Sequence, residues 1–289
     1  MMKFKSWVLG IGLLISNVAF SQTVQDGFRF LDRHQPSRAK QVFDGLVASA
    51  PTGENYFNLG LYYLHLRDWD NAKASFEKGK AADPKNYLNP VGLASILVGQ
   101  NNVSAAKVEF DKIIADTKSK NIDVLYRIAE AYSMYYILGK EESFNANNND
   151  PGEAIRLIDV IQERMLKDKK LPAPEHYIVK GDAFLIKNDG GNAVTAYEAA
   201  IAQDPRNVKA KVKIGTVYLR GKNYKETQVR YKEALDLDSN YAPGHRRYGE
   251  YLIIGGQYKN ASRYFRKYIE KAEATPEVTM ETAKLLFLS

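Results

Sequence analysis

A period of about 34 residues runs along this chain and constrains its folding more than any other feature. Gly60, Tyr63, Ala72, Phe76 and Pro84 recur, offset for offset, as Gly181, Phe184, Ala193, Tyr197 and Pro205. A fixed period with aromatic and small residues locked to set positions marks a stack of helix pairs, because each unit can bury its apolar face only against its neighbours. The expectation is an all-α solenoid of about seven helix pairs plus a partial eighth.

The units fall at about 20–53, 53–86, 87–120, 122–173, 174–207, 208–241 and 242–275, with the partial one at 276–289. The first carries Gly27, Phe30, Ala39, Phe43 and Pro51, and the third Leu93, Ala94, Leu97, Ala106, Phe110 and Ile113. In the third, Lys118 replaces the closing proline. The fourth opens with Leu125, Ile128, Ala129 and Tyr132 and resumes at Ala154, Ile158 and Ile161. Between them lies an Asn-rich insertion, 139–153, and a second lengthening follows around Lys167 to Pro174. The sixth has Ile214, Gly215, Tyr218, Tyr231 and Ala234; the seventh has Tyr248, Gly249, Leu252, Ala261, Phe265 and Tyr268.

The reason for these residue types is steric. A glycine inside a helix costs about 1 kcal/mol relative to alanine, so its recurrence at Gly60, Gly181, Gly215 and Gly249 needs a close helix crossing. Ala72, Ala193 and Ala261 serve the partner helix, while Tyr63, Phe76, Tyr197 and Phe265 fill the space between helices. Pro51, Pro84 and Pro205 stop second helices, since proline disfavours helical geometry in the residue before it. An eighth first helix, Glu277 to Leu288, ends in Leu285, Leu286, Phe287 and Leu288 with nothing after it to cover them. Two readings follow: the chain is a fragment of a longer protein, or this helix folds back as a terminal cap.

Lys3 and Lys5, an apolar stretch from Trp7 to Phe20, and Ala19-Phe20-Ser21 before Gln22 read as a secretory signal peptide over residues 1–21. Residues 22–289 form the solenoid, and no later segment offers the ~20 apolar residues of a membrane span. With no cysteine, disulfides, thiolate nucleophiles and cysteine-held metals are excluded, and stability must come from packing. Loss of the leader leaves 39 basic against 34 acidic residues, a surplus that favours acidic partners.

No constellation for catalysis converges. His34, His65, His176 and His245 lie in four different units without helical i, i+4 partners, so they read as surface or groove histidines and no metal site is expected. Ser37-Arg38-Ala39-Lys40 and Ser75-Phe76-Glu77-Lys78 match a short acyl-transfer pattern, yet Ala39 and Phe76 are packing residues of the repeat. The stretch Asn145 to Glu153 lacks the glycine and the terminal acid of a calcium loop, Arg156 standing where the acid belongs. Phosphate-loop and dinucleotide motifs are absent, and no cofactor is expected. Basic residues interleave with acids, as in Lys225-Glu226 and Lys232-Glu233, so nucleic acid is not expected as a partner.

The residues of the period resemble the tetratricopeptide repeat, a family of scaffolds that bind peptides and proteins. The resemblance implies a right-handed α-α superhelix whose first helices line a concave groove. Carried over by register, that groove takes Phe57, Asn58, Leu61, Leu64 and His65 from the second unit, and Ile178, Asp182 and Leu185 from the fifth. The sixth gives Lys209, Lys213, Thr216 and Arg220, and the seventh Arg246, Arg247 and Glu250. Lys209 and Lys213 lie one turn apart on one face, and with Arg246 and Arg247 they suit a carboxylate or phosphate. They also look like the basic pair of the family's clamp for chaperone tails, although Val179 and Glu130 stand where that clamp needs asparagines. The expected function is a non-enzymatic scaffold holding an acidic protein or peptide partner. The leader and cysteine-free composition resemble exported repeat proteins of Bacteroidota-type bacteria, which implies the periplasm or outer membrane of a Gram-negative-type cell. The alternative is an N-terminal adaptor module of a larger envelope-anchored protein, or an accessory subunit of an envelope enzyme or secretion complex.

Overall fold

A computed structural model describes residues 23–133 and 150–288. The leader expected at 1–21 and the expected insertion up to residue 149 lie outside them. The described residues hold fifteen helices and no strand. They pair as α1 (Val24–Asp32) with α2 (Pro36–Ser49), α3 (Gly53–His65) with α4 (Trp69–Ala82), and α5 (Leu88–Gly99) with α6 (Val103–Asp116). Next come α7 (Ile122–Tyr132) with α8 (Pro151–Lys167), and α9 (Pro174–Ile186) with α10 (Gly190–Gln203). The last are α11 (Val208–Arg220) with α12 (Tyr224–Leu237), α13 (Ala242–Ile254) with α14 (Tyr258–Lys271), and then α15 (Pro276–Leu288). This is the helix-pair solenoid that the period requires.

The crossing within each pair is as close as the glycines demand. A Cβ on Gly60 would lie 2.3 Å from the Phe76 ring, and one on Gly181 would lie 2.4 Å from the Tyr197 ring. Gly27 with Phe43, Gly215 with Tyr231 and Gly249 with Phe265 repeat the contact, sixteen residues apart each time. Ala39, Ala72, Ala106, Ala154, Ala193 and Ala261 are fully buried on the second helices. Thr227 takes that place in the sixth unit, where its hydroxyl donates to the Asn223 carbonyl at 2.8 Å.

The turn between paired helices follows a rule the residue types conceal. Seven positions after the glycine (Ala94 in the third unit) the backbone enters the left-handed region, at His34, Arg67, Asn101, Asn188, Lys222 and Gly256, with φ between 57° and 69°. Only the last is a glycine. The next residue caps the second helix. Asp68, Asn102, Asp189 and Asn223 each accept the backbone N–H three residues on, as does Asp150 ahead of α8. Each such cap contributes about 1 kcal/mol. Gln35 and Gln257 hold that place in the first and last units and make no side-chain cap bond there. At the exits, α2, α4 and α10 end two residues before Pro51, Pro84 and Pro205. The third unit, lacking the proline, turns instead through Lys118 and Ser119 with φ of 51° and 52°.

First helices stack on both helices of the unit before: α5 on α3 and α4, α9 on α7 and α8, α13 on α11 and α12. The core is accordingly a string of clusters bridging neighbours. Leu31, Ala39 and Phe43 meet Leu59 and Tyr62, and further along Val91 to Phe110 meet Val124 to Ile161. The last helix, α15, packs on the seventh unit: Val278 and Thr282 are buried, with Val278 against Ala242 and Tyr268, while Leu285 and Leu286 pack on the α13/α14 cluster. Phe287 stays 90% exposed.

Two substitutions should act with opposite signs on the denaturation midpoint. Gly215→Ala drives a methyl to within 2.5 Å of Tyr231 and should destabilise by about 1–2 kcal/mol, overpacking outweighing the gain in helix propensity. Lys222→Gly relieves an exposed left-handed residue and should stabilise by about 0.5–1 kcal/mol.

Candidate partner-binding face

The first helices set two kinds of charge in register on the inner side of the coil. Cations stand two residues before the repeat's small residue, at Arg127, Lys213 and Arg247; acids stand one residue after it, at Glu130, Asp182 and Glu250. Within α7 and α13 this spacing puts each cation one turn from its acid, with Arg127 to Glu130 at 2.7 Å and Arg247 to Glu250 at 2.8 Å. Arg246 adds its Nε at 3.0 Å from the other Glu250 oxygen. In the sixth unit the acid is replaced by Thr216, so Lys213 reaches back to Asp182 of α9 at 2.7 Å. Asp182 also accepts the Tyr197 hydroxyl at 2.6 Å, and the Lys213 ammonium lies 5.9 Å from the Tyr197 ring centre.

Contacts also cross the axis. Lys209 of α11 meets Asp32 of α1 at 2.7 Å. The Arg127 guanidinium lies 5.8 Å from the Phe28 ring, 5.6 Å from Phe57 and 5.1 Å from Tyr126, joining units one, two and four. Such cation–aromatic contacts are worth about 0.5–2 kcal/mol, more as water is excluded. Burial, then the Lys209 charge, push His65 down to about 4 against the opposing pull of Asp32 and Glu130. Burial also works against the Lys209 ammonium, as does the Lys213 charge, but Asp32 together with Asp182 outweighs them and its pKa rises.

The groove residues predicted from register therefore lie on the inner face, but less openly than expected. Phe57, Leu61 and Leu64 are buried in the apolar cluster that joins units two and three, Ile178 and Leu185 in the one that joins units five and six, and Asn58 is buried as well. Lys209, Lys213 and Asp182 are brought together, with His65 beside Lys209; Arg246 and Arg247 are buried on Glu250. Arg220 is exposed at the far end of α11, about three turns from Lys209. Four of the five predicted cations, Lys209, Lys213, Arg246 and Arg247, meet a carboxylate of their own chain, which the register reading did not supply. The surface-or-groove reading of the histidines holds for His65 alone. His34, His176 and His245 are buried, His34 with its Nδ1 at 3.0 Å from the Tyr268 hydroxyl and His245 with its Nε2 at 2.8 Å from the Ser239 carbonyl. Register alone missed Asp32, Arg127 and Tyr126; the recurrence of an acid just after the small residue was the signal for the ion pairs.

Residues 53–86 and residues 178–226 each match a family model described as a tetratricopeptide repeat. Tetratricopeptide repeat protein 1 of Schizosaccharomyces pombe is 31% identical over 81 residues, which are 28% of this chain and 8% of that protein. The DnaJ homolog subfamily C member 7 homolog of the same yeast is 26% identical over 234 residues, 72% of this chain and 48% of that one. The chain thus spans less than half the length of either curated relative. A solved tetratricopeptide repeat protein from Parabacteroides merdae aligns over 92% of this chain and 96% of its own, with a TM-score of 0.56 and 14% identity. Two stretches of the chain thus match the tetratricopeptide repeat, and its fold is a helix-pair solenoid like that of the Parabacteroides merdae protein. Proteins built this way generally mediate protein–protein interactions, and the fold is typically a non-enzymatic scaffold. No helix among the described residues is long and apolar enough to cross a membrane.

The depressed histidines make stability depend on pH. With His65 near 4 in the folded chain and about 6.5 unfolded, the unfolded state takes up the proton first as pH falls. Burial depresses His176 and His245 as well. The denaturation midpoint should be steady above pH 7 and fall toward pH 5, with His65 contributing about 1–2 kcal/mol of the loss. His65→Gln should flatten that slope.

Proposed function

We propose that this chain is an interaction scaffold of a bacterial cell envelope that holds an extended acidic segment of a protein partner along the inner face of units five to seven. The observation that carries this reading is the pair Lys209 and Lys213. One turn apart on α11, each binds a carboxylate brought from another unit at 2.7 Å. A face that already takes two carboxylates from different helices has the spacing and charge to take two from a bound chain. Asp32 and Asp182 then stand in for the partner's acids and are the groups it must displace. Arg246 and Arg247 extend the positive track by one unit; Asn58, Leu61 and His65 bound it on the second unit; and exposed Arg220 marks its outer end.

Envelope residence rests on the leader-like segment at residues 1–21 and on a chain without cysteine. Expressed whole in a Gram-negative host, the protein should be recovered from the periplasmic fraction with Gln22 as its first residue by mass spectrometry.

Binding is read by fluorescence anisotropy with labelled poly-glutamate peptides. Asp32→Asn with Asp182→Asn should tighten binding about tenfold by releasing the lysines, and Lys209→Gln with Lys213→Gln should abolish it. Equal affinity in both variants removes this face as the acidic-segment site.

A further inference from the structure

The two ends of the solenoid touch, and the contact is made by exchanged helix caps. Gln35 sits where the inner units carry an Asp or Asn cap. Its side chain makes no cap bond to its own helix: the amide nitrogen donates to the Lys271 carbonyl, the last of α14, at 2.7 Å, while the amide oxygen accepts Arg38 at 3.2 Å. In return, Glu273, just past α14, accepts the Ser37 backbone N–H at 2.6 Å and the Ser37 hydroxyl, so it caps the N-terminus of α2. Each terminus thus receives from the other end of the chain the partner that its own sequence does not provide. Around this exchange the Glu273 N–H donates to the His34 carbonyl at 2.8 Å, His34 meets Tyr268, and Arg33 pairs with Asp238 at 2.5 Å.

The seam differs in kind from every junction between consecutive units. Those junctions are held by apolar clusters; none of the clusters joins the first unit to the sixth or seventh. The seam also holds a polar cleft of about 210 Å3 lined by Arg33, Gln35, Arg38, Asn240, Glu270 and Lys271. Hydrogen bonds and ion pairs there are replaced by water when the surfaces part, whereas parting two neighbouring units exposes hydrocarbon. The seam is therefore where this coil opens most readily. What it covers is the inner face: α1 delivers Asp32 to Lys209 and Phe28 to Arg127.

We propose that the first helix pair is a latched lid, which keeps the inner face occupied by its own residues and admits a partner when the exchanged caps release. The lid stays on the second unit through Leu31, Phe43, Leu59 and Tyr62 while it leaves the sixth and seventh. This goes beyond the identity of the partner: a lid gates an apolar segment as well as an acidic one.

The test needs no ligand, so its failure is separate from failure of the acidic-segment reading. In the full chain, Arg33→Ala, Gln35→Ala and Glu273→Ala together release the seam without touching the core. Hydrogen exchange should then accelerate at least tenfold in α1, α7 and α11, while α4, α10 and α12 keep wild-type rates and the radius of gyration by X-ray scattering grows. Conversely, Ser37→Cys with Glu273→Cys, unique in a chain without cysteine, joined by a short bis-maleimide should slow exchange in the same three helices. Unchanged exchange in α7 and α11 in both proteins overturns the lid. Acceleration of equal size in every helix of the triple variant also overturns it, since the seam would then be a plain stabilising stitch.

Discussion

Everything in this molecule hangs on the distance between two helices of a pair, which is set by an aromatic ring lying on a residue with no side chain. Five times a glycine of the first helix faces a Phe or Tyr sixteen residues later, with no room for a methyl group. Because the contact recurs with one spacing, each pair has nearly the same shape, and stacking like shapes generates a regular coil. The third unit shows the tolerance of the device. There Ala94 faces Phe110, while Gly92 presses on the outer side of the Phe76 ring from the unit before. One ring thus fixes the crossing inside its own unit and the approach of the next. Curvature is a consequence of packing that no individual unit encodes.

Curvature in turn decides the chemistry of the inner face. Side chains that would face open water on a flat stack face one another when the coil closes on itself. Lys213 finds Asp182 one unit back, Lys209 finds Asp32 five units back, and Arg127 lies against rings of three units. Charges drawn from water this way are tolerable because each is paired, and the Lys213–Asp182 pair also gains the Tyr197 hydroxyl. An interaction face built on such pairs binds by exchange, substituting a partner's groups for internal ones.

The fold was legible in residues 53–86 and 174–207 alone, since spacing and steric demand are local properties. Exits at Pro51, Pro84 and Pro205 were readable for the same reason. The left-handed turn residues were not, because Arg67 and Lys222 are poor local candidates for positive φ and adopt it under the geometry of the pair. The inner face was half legible. Register placed Lys209, Lys213, Asp182, Arg246 and Arg247 on it, yet it could not show that Lys209 would meet Asp32 across the axis. That information lies in the sum of small rotations between units. The burial of His34 against Tyr268 was hidden by the same cause.

The departures from the repeat at its two ends then acquire a physical reason. A unit inside the stack is satisfied by its neighbours, so its cap position can hold the ordinary Asp or Asn. The first described unit carries Gln35 instead, a side chain too long to cap its own helix well and long enough to reach α14. The seventh carries Tyr268 where other units place Leu46, Gly79, Ile113, Ala200 or Ala234, and that larger residue reaches His34 while lying beneath α15. Both departures send a polar group to a distant unit, where interior units cap their own helix or pack a small or apolar residue. Polar contact is directional and is readily replaced by water, so it holds the ends in one register without fusing them into the core.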